Sequence, residues 1–327
     1  MTTSTATSAN IGPESRLTIL QRQRRWGWVF LSPWIFGFFV FTFFPMIASF
    51  VFSFTNFRIG EPIQLLSDNP DCVAEFGSLR CLFGNWEKMF TDPVTSNALG
   101  VTLRFMLIAA PISILFPLGM ASLLNSKFLL GKPILRVLFY MPFMVPAISG
   151  VFIWQSYLNG QTGYLNRILR LLGITEPPNW LFDSAYMHTA FVLIGLWGVG
   201  NAMLTMLASM QGVPTELYEA ARVDGATGPV VFWKITLPMI SPVILYNLVL
   251  SLVGLMQYFI VPYVMSNTTR SDPSANFINL HLYRTGFAFG DMGFASAQAW
   301  LIFIVALAFT VGIFATSRRW VYYASGG

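Results

Sequence analysis

Six stretches of this chain run without a single Asp, Glu, Lys, Arg or His: residues 26–57, 105–126, 137–166, 189–215, 235–269 and 292–317. The shortest is 22 residues long. An apolar helix rises 1.5 Å per residue and needs about 20 residues to cross roughly 30 Å of hydrocarbon, so each window predicts one spanning helix. Barrel strands alternate in hydrophobicity over about ten residues and would not stay apolar this long. Hydrocarbon holds no water to satisfy a backbone, which leaves helices as the spanning element. The predicted fold is therefore an all-α polytopic membrane protein with six transmembrane helices.

Composition agrees: 10% of the 327 residues are charged, against about 25% in soluble globular domains. With 55% hydrophobic residues and only two cysteines, disordered, collagen-like and disulfide-scaffold classes are excluded. An even number of spans puts both termini on one side, and the basic residues say which side. Arg16, Arg22, Arg24 and Arg25 precede the first window; Lys127, Lys132 and Arg136 follow the second; Arg222 and Lys234 follow the fourth; Arg318 and Arg319 follow the sixth. Only Glu14, Glu216, Glu219 and Asp224 oppose them there, for a net +7, while the other side nets −2. The positive-inside rule makes the +7 side, and both termini, cytoplasmic. The overall charge of +5 then reflects topology and requires no nucleic-acid partner.

The first window is too long for the 7–15-residue apolar region of a cleaved signal and reads as an uncleaved span. This divides the chain into a disordered cytoplasmic tail over 1–25, a single transmembrane domain over 26–320 and a short cytoplasmic tail over 321–327. The outer loops are 58–97, 167–188 and 270–291. Cys72 and Cys81 fall in the first of these, where a disulfide and two separate thiols are both compatible with the compartment.

HExxH, GxSxG and GxxxxGK[ST] motifs are all missing, and the two histidines, His188 and His281, fall at or beyond the outer face. Metal or triad chemistry within the bilayer has no candidate residues, so no catalytic site, metal or cofactor is expected in this chain. Proton-coupled carriers keep ionisable groups inside their spans; here Arg104, at one edge, is the nearest. Energy for any transport is expected from a partner.

The cytoplasmic stretch 211–238 carries its own structural signals. Pro214 suits the first turn of a helix, Gly225 its C-terminal stop, and Pro229 the start of a second helix leading to Leu237 and Pro238. Glu216 and Glu219, three apart, share one helix side, and Ala220 and Ala221 are small enough to admit a close neighbour. The combination suggests a docking knob. Glu219-Ala220-Ala221, three residues, Gly225, nine residues, Ile235, one residue, Leu237-Pro238 resembles the EAA loop of permease subunits of ATP-binding cassette (ABC) importers. The resemblance implies a type I ABC importer permease fold and assigns ATPase coupling to Glu219, Ala220, Ala221, Asp224, Gly225, Ile235, Leu237 and Pro238.

Further stretches are similar to the MalF-like, carbohydrate-uptake branch: Leu31-Ser32-Pro33-Trp34, Phe44-Pro45-Met46, Tyr140 to Pro146, Thr162 to Asn166 and Asn179-Trp180-Leu181. Together they extend the likeness over nearly all of 25–320. The large extra outer domain of some maltose permeases is absent. The resemblance implies a sugar-importing permease working with a second homologous permease, two ATPase subunits that bind ATP and Mg, and an extracytoplasmic solute-binding protein. Its place would be the cytoplasmic membrane of a bacterium or archaeon, in contact with lipid.

A neutral polyol needs hydrogen-bond partners and flat rings rather than fixed charge. Ser251, Leu255 and Tyr258 lie on one helical face with Gln257 beside it; Gly198 and Asn201 mark the fourth span, and Phe143 lies between Pro142 and Pro146 where the third should bend. Helix packing accounts for such residues equally well. Trp154 and Tyr157 read as interfacial belt aromatics. Glycerol phosphate or another small polar solute is the alternative substrate, and a channel or membrane anchor the alternative class; neither of the latter explains the docking loop.

Overall fold

A computed structural model describes residues 13–68, 73–74, 77–266 and 273–323, with side chains undescribed over 13–20 and at 68 and 266. Cys72 lies outside the described residues. Helices carry the described chain, and the only strand-like pairings among those residues are two isolated bridges, Thr55 with Leu65 and Arg58 with Asp291. The chain divides into two compact units, Met1–Phe52 and Ser53–Gly327.

The first unit is one run of helix: α1 (Pro13–Phe38), a π-turn over Phe39–Phe43 and α2 (Phe44–Phe52). The tail expected to be disordered as far as residue 25 is thus helical from Pro13 onward. Residues Gln21–Phe52 are long and apolar enough to span. No stop signal separates Arg22–Arg25 from Trp26, so the helix of the span simply continues into its basic flank.

In the second unit the post is α3 (Pro93–Asn125). Asp92 caps it, accepting from the amides of Val94 and Thr95 at 3.3 and 2.9 Å, and Pro93 at N1 lacks the one amide that has no partner there. Its face alternates small and large residues, so neighbours can approach on several sides. Ala98 and Met106 pack with Met256 and Ile278; Phe105 packs with Phe191 and Phe277; Ala121 and Leu124 pack with Met203, Met206 and Ile240.

Two of the six predicted spans are not continuous helices. The third is broken into α4 (Lys132–Tyr140), a 3₁₀ turn over Met141–Met144 and α5 (Ala147–Tyr157), bent by 102°. The fourth is α6 (Ser184–Trp197) and α7 (Gly200–Gln211), bent by 53°. The first break has a direct cause: Pro146 offers no amide and forces Val145 into extended backbone (φ −71°, ψ 130°). At the second, Gly200 lies against the end of α4; a Cβ there would stand 2.7 Å from the Phe139 carbonyl oxygen. Counting each bent pair as one span gives six, and counting continuous helices gives four.

After α7 come α8 (Thr215–Val223), a turn, the long run containing α9 (Leu237–Met256), then α10 (Ile278–Tyr283) and α11 (Met292–Ser317). Polar bonds lock these helices where lipid offers no competing water: the Asn247 amide donates to the Thr205 hydroxyl at 3.2 Å, tying α9 to α7, and Ser251 bonds Ser113 between α9 and α3.

A buried polar cluster joins α3, α10 and α11. The Thr95 hydroxyl donates to Asp92, receives the Gln298 amide at 3.0 Å and lies 3.2 Å from His281 Nε2. Burial alone would raise the Asp92 carboxyl, but hydrogen bonds from the Thr95 hydroxyl and amide and the Val94 amide outweigh it and hold it below its ordinary value. Burial also holds the His281 imidazole below its ordinary value, against the pull of Asp92 and with help from Arg284. The N-terminal end of α3 is thereby fixed by an imidazole held toward its neutral form beside a carboxylate held toward its charged form.

Candidate coupling loop and solute pathway

Helix α8 ends at a left-handed Gly225 (φ +70°). The Ala226 amide donates to the Ala221 carbonyl at 2.9 Å and the Gly225 amide to that of Arg222 at 3.1 Å. This pair of bonds is a Schellman stop, with Asp224 at the C-cap. A second helical turn begins at Gly228–Pro229 and runs through a π-turn, Phe232–Thr236, into α9. The loop is held down by a row of inward groups: Val213, Tyr218, Ile235 and Leu237 join the cluster around Met206 and Ile240. The Tyr218 hydroxyl meets the Thr236 hydroxyl at 3.1 Å, bracing α8 to the start of α9.

The residues proposed for coupling therefore separate into two sets. Ala221 is buried, and Ile235, Leu237 and Pro238 are half-buried against the same protein. Glu219, Ala220, Asp224 and Gly225 are exposed, as is Glu216. The Glu219 side chain has no hydrogen bond or ion pair among the described residues. Val223, 89% exposed, belongs to the same outward set and was not picked out from the sequence; an apolar residue so exposed at the end of an otherwise anchored helix could have signalled it. The Tyr218–Thr236 brace was also missed, because it joins residues 18 apart through a turn.

The residues proposed for the solute pathway do not form one site. Phe143, Gly198 and Tyr258 line a cavity of about 300 Å³ between the two broken helices. Ser251, Leu255 and Tyr258 line a second, of about 210 Å³, together with Phe105 and Phe191. Tyr258 and Gly195 line both. Gln257 faces a different space, of about 550 Å³, beside Asn279 and α11; Asn201 is exposed and lines none of the three. Ser251 also spends its hydroxyl on Ser113, so the packing role is realised at this residue whatever else it does. No charged side chain lines any of the three cavities.

Cys81 is buried and disulfide-bonded. Among the described residues no group of three His, Cys, Asp or Glu side chains could hold a metal ion.

A multi-pass helical protein with a small anchored helix presented outside its spans, and uncharged cavities between them, is built as a transport permease. The chain belongs to the family described as binding-protein-dependent transport system inner membrane component, whose model matches residues 113–324. It is a transport subunit of the ABC class rather than an enzyme. Among its relatives, the probable ABC transporter permease protein YesP of Bacillus subtilis is 32% identical over 91% of this chain and 92% of its own length. The arabinooligosaccharides transport system permease protein AraP of the same bacterium is 30% identical over 86% of this chain and 84% of its own. The trehalose/maltose transport system permease protein MalF of Thermococcus litoralis is 32% identical over 64% and 70%. In fold, the chain is similar to a bacterial ABC transporter involved in import of the acidic polysaccharide alginate, with a TM-score of 0.76, covering 93% of this chain and 99% of that one at 22% identity.

Proposed function

We propose that this chain is a sugar-conducting permease subunit of an ATP-driven importer, with both termini cytoplasmic and each bent helix pair serving as one of six spans. A solute-binding protein delivers sugar at the outer face. ATP draws two cytoplasmic ATPase subunits together, and α8 passes their movement to the spans as alternating access. The chain performs no covalent chemistry; ATP and Mg stay with the ATPases. A second homologous permease completes the pathway.

The observation that carries this reading is α8 itself: a helix fixed on one side by Val213, Tyr218 and Ala221 and showing Glu219, Ala220 and Val223 on the other. Glu219 is suited to pair with a partner's Arg or Lys. Sugar is supported by the transport systems named for the relatives in Bacillus and Thermococcus. A neutral solute is favoured over glycerol phosphate by the uncharged cavity walls, since an anion would call for cationic groups.

In proteoliposomes holding the complete transporter, Glu219→Lys should uncouple ATP hydrolysis from uptake. Gly225→Val should do the same through strain, because a β-branched residue at φ +70° costs on the order of 1–3 kcal/mol. Normal coupled transport by both variants would refute the assignment.

We also propose that Cys81 pairs with Cys72 on the outer side.

A further inference from the structure

Trp154 on α5 reads from the sequence as a belt aromatic. A belt tryptophan keeps its ring in the apolar layer and its N–H in water. Here the indole Nε1 is buried and has no hydrogen-bond partner, and the Tyr258 hydroxyl is in the same condition. Both side chains line the cavity of about 300 Å³ between the broken third and fourth spans. An indole N–H can only donate, and a buried donor left without an acceptor costs free energy that folding rarely tolerates twice around one space.

The walls around these donors are aromatic. The Trp154 and Trp197 rings meet edge to face at 6.2 Å and 80°. Gly150 makes room for this arrangement, since a Cβ there would stand 3.3 Å from the Trp197 ring. Phe143 closes another side. The space thus combines flat apolar faces with no fixed charge, and in its walls lie two unfilled donors that the present packing closes to water. Those features match a sugar ring, whose C–H face packs on aromatic rings while its hydroxyl oxygens accept hydrogen bonds.

We propose that Trp154 is a specificity-determining residue of the solute pathway, its Nε1–H donating to a hydroxyl oxygen of a neutral sugar that Tyr258 also contacts. The inference rests on the sugar-permease reading above. It adds a residue on α5, about two turns beyond the bend, that the sequence places in the membrane interface.

The test compares uptake by the complete transporter in proteoliposomes for trehalose, maltose, lactose and an arabinooligosaccharide, followed by singly deoxygenated forms of whichever sugar the native complex moves. Trp154→Phe keeps a ring and removes the donor. It should lower uptake of the parent sugar about three- to tenfold, the worth of one neutral hydrogen bond, and make no difference for the analogue lacking the accepting hydroxyl. A variant that matches the native complex on the parent sugar, or loses the same factor on every analogue, overturns the inference. Should Trp154→Phe fail to assemble, Tyr258→Phe carries the same comparison, with the same expected and overturning results. A native complex that moves none of the sugars overturns the sugar reading and this inference together; one that moves a sugar with both variants indifferent to deoxygenation overturns this inference alone.

Discussion

Glycine positions show how single residues govern the broken spans. Gly200 stands where α7 starts against the end of α4, and a methyl group there would press on backbone atoms, the Phe139 carbonyl oxygen at 2.7 Å and Tyr140 Cα at 2.8 Å. Backbone cannot swing away as a side-chain tip can, so Gly200→Ala should destabilise the protein by about 1–3 kcal/mol. Gly312 in α11 is the control, with nothing within 4 Å of its would-be Cβ; Gly312→Ala should cost little. Thermal unfolding of the two variants in detergent distinguishes them, and equal melting temperatures would contradict the packing argument. Glu219 was legible at this scale because its spacing to Gly225, Ile235 and Leu237 is a local pattern. Trp154 was not, because a tryptophan near a span end looks the same whether its N–H meets water or a cavity.

Among elements, the junction of α3 with α10 and α11 carries the pH dependence. In the fold, burial lowers the His281 imidazole below its ordinary value of 6.5, whereas in the unfolded chain it gains a proton near that value. The unfolded state therefore binds more protons just below pH 6.5, and its contribution to stability is present above that pH and lost as pH falls toward the folded value. Asp92, also lowered, adds a further loss only below its own ordinary 3.8. Melting temperature in detergent should accordingly drop between pH 7.5 and 5, and His281→Gln should flatten that part of the profile; an unchanged slope would remove His281 as its source. Helix identity was legible in the windows, yet the breaks were only half so. Pro142 and Pro146 announce the first, while the 53° bend at Gly198 follows from how closely Gly200 approaches α4, a contact some 60 residues away in sequence.

For the molecule as a whole, sidedness joins the charge pattern to the cysteines. If the basic flanks face the cytoplasm, residues 58–97 face an oxidising compartment. Mass spectrometry of unreduced protein should then find the peptides of Cys72 and Cys81 linked, and a membrane-impermeant reductant applied to intact spheroplasts should separate them. Free Cys72 in freshly isolated protein would count against the orientation.

The sequence by itself determined that the chain crosses a membrane by helices, and it determined the register of the candidate coupling loop. Both follow from local physics: hydrocarbon makes each segment satisfy its own backbone within four residues, and a helix stop at Gly225 needs only its neighbours. The tertiary structure alone decided which apolar residues face inward, for lipid and a packed interior are equally apolar and hydrophobicity cannot tell them apart. It alone separated Ala221 from Ala220, Gln257 from Tyr258 and Asn201 from Gly198. It also put Trp154 in the wall of the cavity between the two broken spans, because that space exists only once α5, α6 and the segment after α9 that carries Tyr258 and Val261 are packed together.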